Sequence, residues 1–376
     1  MKFRWLMGVL ILMSLGILIA CSSSNITSST TIADMIFTSQ GNMSVLSYQV
    51  NLGNGQLTQV GSEIPTGANT MPVAIKFTPD GKSAFIVNKG VPPSGSDNIA
   101  TYNVNGDGSL SSSGASVASG GPSPAALAID ASGKFMFVAN QGVGGISGTS
   151  SISVYSISGS TVSLASTTPT DDFATALEVS PTANFLYVAN SVGALPLLQG
   201  EVTQYSFDPT SGALTKVGSY ITGGTTPAGV AINKKGYLYV TNFGSNNISG
   251  FMIASDGTLA PTPKSPYTIA TGTGPQALVA DPVEDFLYVA DYGSNQVSGF
   301  LISAASGELS PLTPNAISTG PGPIGIAMDP TGVYLYTTNI GAASLSAFHV
   351  DYLTGSLGPI QLAFPTPGQP SSIAIH

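Results

Sequence analysis

The stretch Phe185-Leu186-Tyr187-Val188-Ala189-Asn190 runs apolar for five residues and stops at an asparagine. Nearly the same phrase recurs as Phe85-Ile86-Val87-Asn88, Phe137-Val138-Ala139-Asn140, Tyr239-Val240-Thr241-Asn242, Tyr288-Val289-Ala290-Asp291 and Tyr336-Thr337-Thr338-Asn339. A worn copy stands at Ile36-Phe37-Thr38-Ser39. The seven copies end at 39, 88, 140, 190, 242, 291 and 339, so the intervals run from 48 to 52 residues. A fixed period of that length marks a repeat architecture.

Working outward from the phrase, each unit reads alike. A Gly-Pro or its equivalent opens a short apolar run such as Pro124 to Ile129, and a tight turn such as Pro79-Asp80-Gly81-Lys82 leads into the phrase. An alternating stretch follows, as in Ile248-Ser249-Gly250-Phe251-Met252-Ile253, and then a Gly turn and a more polar run. The turn glycines are Gly55, Gly108, Gly159, Gly212, Gly257, Gly307 and Gly355. Four short strands with frequent turns and no helical period define an all-β unit. The first two strands are apolar on nearly every residue, so both their faces must be covered. The third alternates and the fourth is polar. Blades standing on edge around an axis satisfy that gradient.

The two ends complement each other. Residues 370–376 read as a first strand with no second strand after it, and residues 34–39 read as a second strand with no first strand before it. Joined, they complete one blade. The expected fold is therefore an all-β, seven-bladed β-propeller with four antiparallel strands per blade. The C-terminal strand closes the ring against the N-terminal repeat strand. Numbering blades from the joined one, 34–376 is a single propeller domain.

Residues 1–20 read as a lipoprotein signal peptide. Lys2 and Arg4 precede an apolar run from Trp5 to Ile19 that is short for a membrane span. Leu18-Ile19-Ala20-Cys21 looks like a bacterial lipoprotein box. In such proteins the cysteine becomes the first mature residue and carries the lipid. Cys21 is the only cysteine, so no internal disulfide is available and the acylation reading accounts for it. Residues 21–33 read as the lipidated Cys21 and a flexible tether, rich in Ser and Thr. The expected location is the cell envelope, as an outer-membrane lipoprotein facing periplasm or exterior. Beyond residue 20 the chain carries 8 lysines against 19 acids, a net of −11, and no arginine. That balance argues against nucleic acid as a partner.

The repeated phrase, with its P-x-x-[ILV]-A-[IV]-D-P-x-G-K lead-in, resembles the bacterial YVTN and lactonase-like propellers. That group includes 6-phosphogluconolactonase-like and muconate-cycloisomerase-like proteins. The resemblance spans about residues 34–376. It implies a seven-bladed ring and a site in the axial cleft of the top face. In the cycloisomerase-like members the proposed site uses His, Arg and Glu. None of these carries over by motif, because the chain has no arginine after Arg4 and neither His349 nor His376 falls in such a pattern.

Opening a lactone needs a base for water and a donor for the developing oxyanion. His349 sits on a third strand and reads as a blade-surface histidine. His376 stands where other blades carry Asp130, Asp281 and Asp329, and reads as the closer of a turn. Two departures on the innermost strand stand out. Where the repeats have Ala128, Ala231, Val279, Ala327 and Ala374, blades 2 and 4 carry Lys76 and Glu178. A charge there must be paired or face a water-filled channel. These two are the catalytic candidates, if there is catalysis.

Asp171 and Asp172 replace the Gly-Pro entry of blade 4 and are expected on the top face beside the axis. Long loops after the phrase in blades 2, 3 and 4, at 89–97, 141–150 and 191–200, are expected on the same face. With them Lys89, Gln141 and Gln199 join the ligand-binding candidates. The run Ala194-Leu195-Pro196-Leu197-Leu198 is expected on the rim or against a partner. The repeated asparagines are expected to bond their own loop backbone. Asn103 to Gly108 mimics a calcium loop but has Gly114 at its twelfth position. No metal and no cofactor is expected. The leading functional expectation is a lipid-anchored module that binds a small molecule, carbohydrate or envelope protein through its top face. The alternative is a lactonase acting on a sugar or related lactone.

Overall fold

The computed structural model describes residues 32–376 apart from 93, 144, 145, 147 and 193–198. Residues 1–20, expected to be a signal peptide, Cys21 and the apolar run 194–198 lie outside the described residues. Residues 31–376 form one compact unit. Ile32 and Ala33, expected in the tether, already belong to the first strand, Ile32–Ser39.

Seven antiparallel sheets make the ring. Their innermost strands are Pro370–Ile375, Thr70–Phe77, Pro124–Ile129, Ala174–Val179, Pro227–Ile232, Pro275–Ala280 and Pro323–Met328, for blades 1 to 7 in turn. Each packs beside the next around the axis, and the last returns to the first. The apolar phrases form the second strands, which are buried along their whole length in blades 3, 5, 6 and 7. In blades 2 and 5 the polar fourth strand is broken into two short pieces, Leu110–Ser112 with Val117–Ala118 and Leu259–Pro261 with Tyr267–Thr268. Ring closure is as expected: Met35 pairs with Ile375, Ile36 with Ala374 and Phe37 with Ile373. The joined blade gains a buried side-chain link as well, Thr38 Oγ1 to Ser371 Oγ at 2.8 Å.

The core is not one cluster. Seven separate apolar clusters lie one at each blade–blade interface. At the blade 3–4 interface, for example, Phe137 and Phe207 pack at a tilt with ring centroids 5.1 Å apart. The opening aromatic of the phrase also bonds across interfaces where it is tyrosine. Tyr187, Tyr239, Tyr288 and Tyr336 are fully buried, and each donates its hydroxyl to the carbonyl of a turn glycine in the next blade. The acceptors are Gly257, Gly307, Gly355 and Gly55, at 2.7 to 2.8 Å. Burial raises the hydroxyl pKa of all four. Blades 1 to 3 carry Ile36, Phe85 and Phe137 there, which pack without such a bond.

The asparagines that end the phrase do not bond their own loops as expected. Their Nδ2 donors reach the third strand of the same blade: Asn140 to Ser153 Oγ at 2.9 Å, Asn190 to Thr203 Oγ1 at 2.9 Å, Asn242 to Ser249 Oγ at 2.8 Å and Asn339 to Ser346 Oγ at 2.9 Å. The loop is sealed over them by glycines. A Cβ on Gly121, Gly224 or Gly320 would come within 2.9 Å of the asparagine side chain beneath it or of a side chain it bonds. The loop backbone thus lies too close to leave the amide facing solvent, and the buried donor takes the nearest hydroxyl.

Candidate functional site

The innermost strands run from the upper rim downward, so their first halves enclose an upper cup and their second halves a lower cavity. The cup has a volume of about 520 Å³ and the lower cavity about 470 Å³. Lys76 and Glu178 line both. They come from blades 2 and 4 and meet over the small residues of blade 3, Nζ to Oε2 at 3.6 Å, with side chains 46% and 28% exposed. They are the only charged side chains on the seven innermost strands. The pair therefore forms the floor of the cup and the roof of the cavity beneath it. The alanines at 126 and 128 leave the space through which two side chains from non-adjacent blades can reach each other.

Around the rim, the residue following each phrase alternates in character by half-ring. Blades 1 to 4 present Gln40, Lys89, Gln141 and Ser191, whereas blades 5 to 7 present Phe243, Tyr292 and Ile340. Gln40, Lys89, Gln141 and Phe243 line the cup. Phe243 is backed by Tyr292, ring centroids 6.4 Å apart. Lower on the wall, Thr175, Gln276 and Ser372 add polar groups to otherwise apolar strands. The position directly after the repeated phrase was the sequence signal for Gln40 and Phe243, and it is visible only when the seven copies are aligned on their final residue.

Several expected site residues lie elsewhere. Asp171 is not at the axis. It is held across the face of blade 4 by Lys216 Nζ at 2.8 Å, with Thr203 Oγ1 at 2.7 Å and Ser219 Oγ at 3.3 Å. Burial alone would raise its carboxyl pKa, but Lys216 and the two hydroxyls outweigh this and hold it below the ordinary value. A carboxylate so close to a lysine and two hydroxyls on one blade turns toward them rather than toward the open cup. Asp172 Oδ1 accepts the backbone N–H of Gly148 at 2.8 Å, so it anchors the blade 3 loop rather than lining the cup. Gln199 is not a loop residue. It is exposed in the strand Gln199–Phe207, in register with Val192 and Thr225. Lys89 likewise belongs to a strand, Ser83–Gly90, but its side chain does line the cup, as Gln141 does.

The loop after Lys89 is pinned by a residue the sequence reading missed. Asp97 accepts Gly90 N–H and, across the interface, Ser123 N–H, both at 2.8 Å. Nothing short of the fold shows that blade 3 begins beside that carboxylate.

The histidines divide. His349 is exposed on its third strand and stacks edge-on against Tyr334 at 5.9 Å. His376 closes the joined blade as expected, with its ring against Gly81 and Nε2 3.2 Å from Pro79 O. It also stands at the mouth of the lower cavity. Among the described residues, no three His, Cys, Asp or Glu side chains converge as a metal site would require.

The seven-sheet ring with a polar axial cup defines a seven-bladed β-propeller with one central site. The family model for the lactonase seven-bladed β-propeller matches residues 39–168, 142–277 and 262–374, and the chain belongs to that family. Among solved structures, a putative 6-phosphogluconolactonase from Bacteroides fragilis superposes with a TM-score of 0.76 at 17% identity, over 93% of this chain and 99% of that one. The periplasmic gluconolactonase of Pseudomonas aeruginosa superposes with a TM-score of 0.76 at 18% identity, over 92% and 99%. At such identities these similarities speak for the fold. No protein of curated function matches the chain.

Proposed function

We propose that this chain is a lactone hydrolase that works in the upper cup, rather than the pure binding module that the sequence favours. The observation that carries the reading is the Lys76–Glu178 pair on the cup floor, a carboxylate beside an ammonium in an otherwise uncharged axial wall. The family to which the chain belongs supports the same chemistry.

In this reading the Glu178 carboxylate accepts a proton from water as the water oxygen attacks the lactone carbonyl carbon. Lys76 Nζ donates to the oxygen on which negative charge develops. Collapse of the tetrahedral species breaks the ring C–O bond, and the departing alkoxide takes the proton back from Glu178. The net change is addition of one water to give a hydroxy acid. A single positioned acid–base group contributes roughly 10²–10⁴-fold. Glu178→Gln and Lys76→Met should each lower kcat/KM on a simple γ- or δ-lactone by that order, measured by acid release in a pH-stat. Turnover that survives both changes would sink the reading.

One observation favours the binding reading: Lys76 and Glu178 are paired to each other, so each must exchange its partner for substrate before acting. Calorimetric binding of a lactone without any turnover would select that alternative.

For location, the proposal is a cell-envelope protein held by lipid at Cys21, carried by the Leu18-Ile19-Ala20-Cys21 box. Cys21→Ser should move the protein from the membrane fraction to the soluble fraction without changing its melting temperature. A mutant that stays with the membrane rules the anchor out.

A further inference from the structure

The cup has a charge that the floor chemistry does not use. Of the eight lysines among the described residues, seven are exposed and only Lys89 is half-buried. Five of the exposed seven are ion-paired: Lys76 to Glu178, Lys82 to Asp80, Lys216 to Asp171, Lys235 to Asp285 and Lys264 to Glu308. The remaining two, Lys134 and Lys234, sit at lower turns in full solvent. Lys89 has no ion pair, and this is not for want of acids. All 19 acidic residues of the chain lie among the described residues, and none is placed against its ammonium. A half-buried cation without a partner, in a chain with a strong acidic excess, faces a cavity whose one carboxylate, Glu178, is engaged by Lys76 at the floor. Asp97, the nearest acid in sequence on the same loop, is turned away and spends both oxygens on backbone N–H groups.

What stands around Lys89 narrows the ligand. Gln40 and Gln141, from the blades on either side, line the same wall and offer amide donors and acceptors. Phe243 lies across the cup in blade 5, three blades from Lys89 and Gln40, the widest separation a seven-blade ring provides, and two from Gln141. One side of the cup is therefore cationic and rich in amides, and the other is an aromatic plane. A ring bearing hydroxyls on its edge and C–H groups on its face matches both sides at once. The single lysine sets the charge. It is a point charge, and no arginine among the described residues offers the fork that grips a phosphate through two parallel bonds. Lys76 is committed to Glu178 at the floor.

We infer that Lys89, flanked by Gln40 and Gln141 and opposed by Phe243, is an anion subsite that makes the cup selective for polyhydroxylated rings carrying one carboxylate, such as sugar-acid lactones, over neutral and phosphorylated ones. The inference rests on the cup being the ligand site, but not on hydrolysis taking place there.

The test uses the purified protein and three probes: D-glucaro-1,4-lactone, which carries one free carboxylate, neutral D-galactono-1,4-lactone, and 6-phosphogluconolactone. Binding is read by calorimetry, with the corresponding open-chain acids for any lactone that turns over, and kcat/KM is read in parallel. A charge-assisted hydrogen bond supports a preference of roughly 10–100-fold for the carboxylate probe over the neutral one. Lys89→Met should abolish that preference while leaving affinity for the neutral probe within about threefold. Phe243→Ala should weaken both carboxylate and neutral probes alike, since it removes only the ring face. If both probes bind equally and Lys89→Met changes nothing, the inference falls, whatever the hydrolysis assay shows. A tenfold preference for the phosphorylated probe also overturns it. If the carboxylate probe binds in a Lys89-dependent way but no lactone is turned over, the subsite stands and the hydrolase reading falls. If no probe binds at up to 10 mM, roughly the weakest affinity calorimetry resolves, the subsite falls too.

Discussion

Blades 4 to 7 and blades 1 to 3 solve the same packing problem with different chemistry. In blades 4 to 7 the phrase opens on tyrosine, and each hydroxyl reaches the turn of the next blade. In blades 1 to 3 the same position is apolar, Ile36, Phe85 and Phe137, which gives up the bond and keeps the packing. The site shows a related asymmetry. Lys76, Lys89, Gln40 and Gln141 come from blades 1 to 3, whereas blades 5 to 7 supply the aromatic rim and uncharged floor positions. Blade 4 belongs to both sides, with Tyr187 latched and Glu178 reaching back over blade 3. The lesson is a division of labour. One arc is cross-linked by buried hydrogen bonds and carries few polar cup residues. The other lacks that tyrosine latch, is bonded across its interfaces at other positions such as Tyr155 to the Ala118 carbonyl, and carries most of the cup's charge.

The comparison breaks most severely if the joint between the arcs is removed. Deleting residues 370–376 strips the innermost strand from blade 1, exposes the edge of Ile32–Ser39 and removes the Thr38–Ser371 link. The melting temperature should fall by more than about 10 °C, or the protein should fail to accumulate in soluble form. A melt within 2 °C or so of the parent would mean that the ring does not depend on its closure.

A second test sits inside the latched arc. Asp291 takes the place that asparagine holds in blades 2 to 5 and 7. Burial pushes its carboxyl up to about 6, although Ser298 at 2.6 Å and Gln296 pull the other way. The folded value lies above the ordinary 3.8. The stabilising contribution of this group is therefore complete below about pH 4 and is lost as pH rises through about 6. Raising a carboxyl from 3.8 to about 6 corresponds to roughly 3 kcal/mol. Asp291→Asn keeps a bond to Ser298, as Asn339 does to Ser346. It should stabilise the protein by up to about that much at pH 8 and leave it unchanged at pH 4. Denaturant melts at the two pH values decide this, and equal gains at both would contradict the burial argument.

The latch itself is the third. Tyr336→Phe leaves the buried Gly55 carbonyl without its donor and should cost about 1–3 kcal/mol. For a ring of this size that is a few degrees of melting temperature at most. Phe137→Leu in the other arc loses no hydrogen bond, and its cost should come entirely from packing. A Tyr336→Phe protein as stable as its parent would show that the tyrosine arc gains nothing from its hydroxyls.

The smallest expected effect concerns Asp171. Its link to Lys216 is partly exposed, and such pairs contribute about 1 kcal/mol or less. Asp171→Asn should leave lactone binding and turnover unchanged. A loss of either would return Asp171 to the site from which the geometry removes it.

Much of this was legible in the chain alone. The repeat phrase, its spacing and the two complementary ends determine seven blades and their closure, because a strand apolar on both faces must be sandwiched and an edge must be paired. Lys76 and Glu178 could be singled out because they break a small-residue pattern at one repeated position. The sequence could not show that they meet, since that depends on two side chains from blades 2 and 4 spanning the alanines of blade 3. Nor could it say that Lys89 faces the cup while Asp171 and Gln199 do not, because direction around a ring is set by how neighbouring sheets turn against each other. Period and polarity are local quantities, carried by each fifty-residue unit on its own. Convergence at the axis belongs to no single unit, and only the packing of all seven decides it.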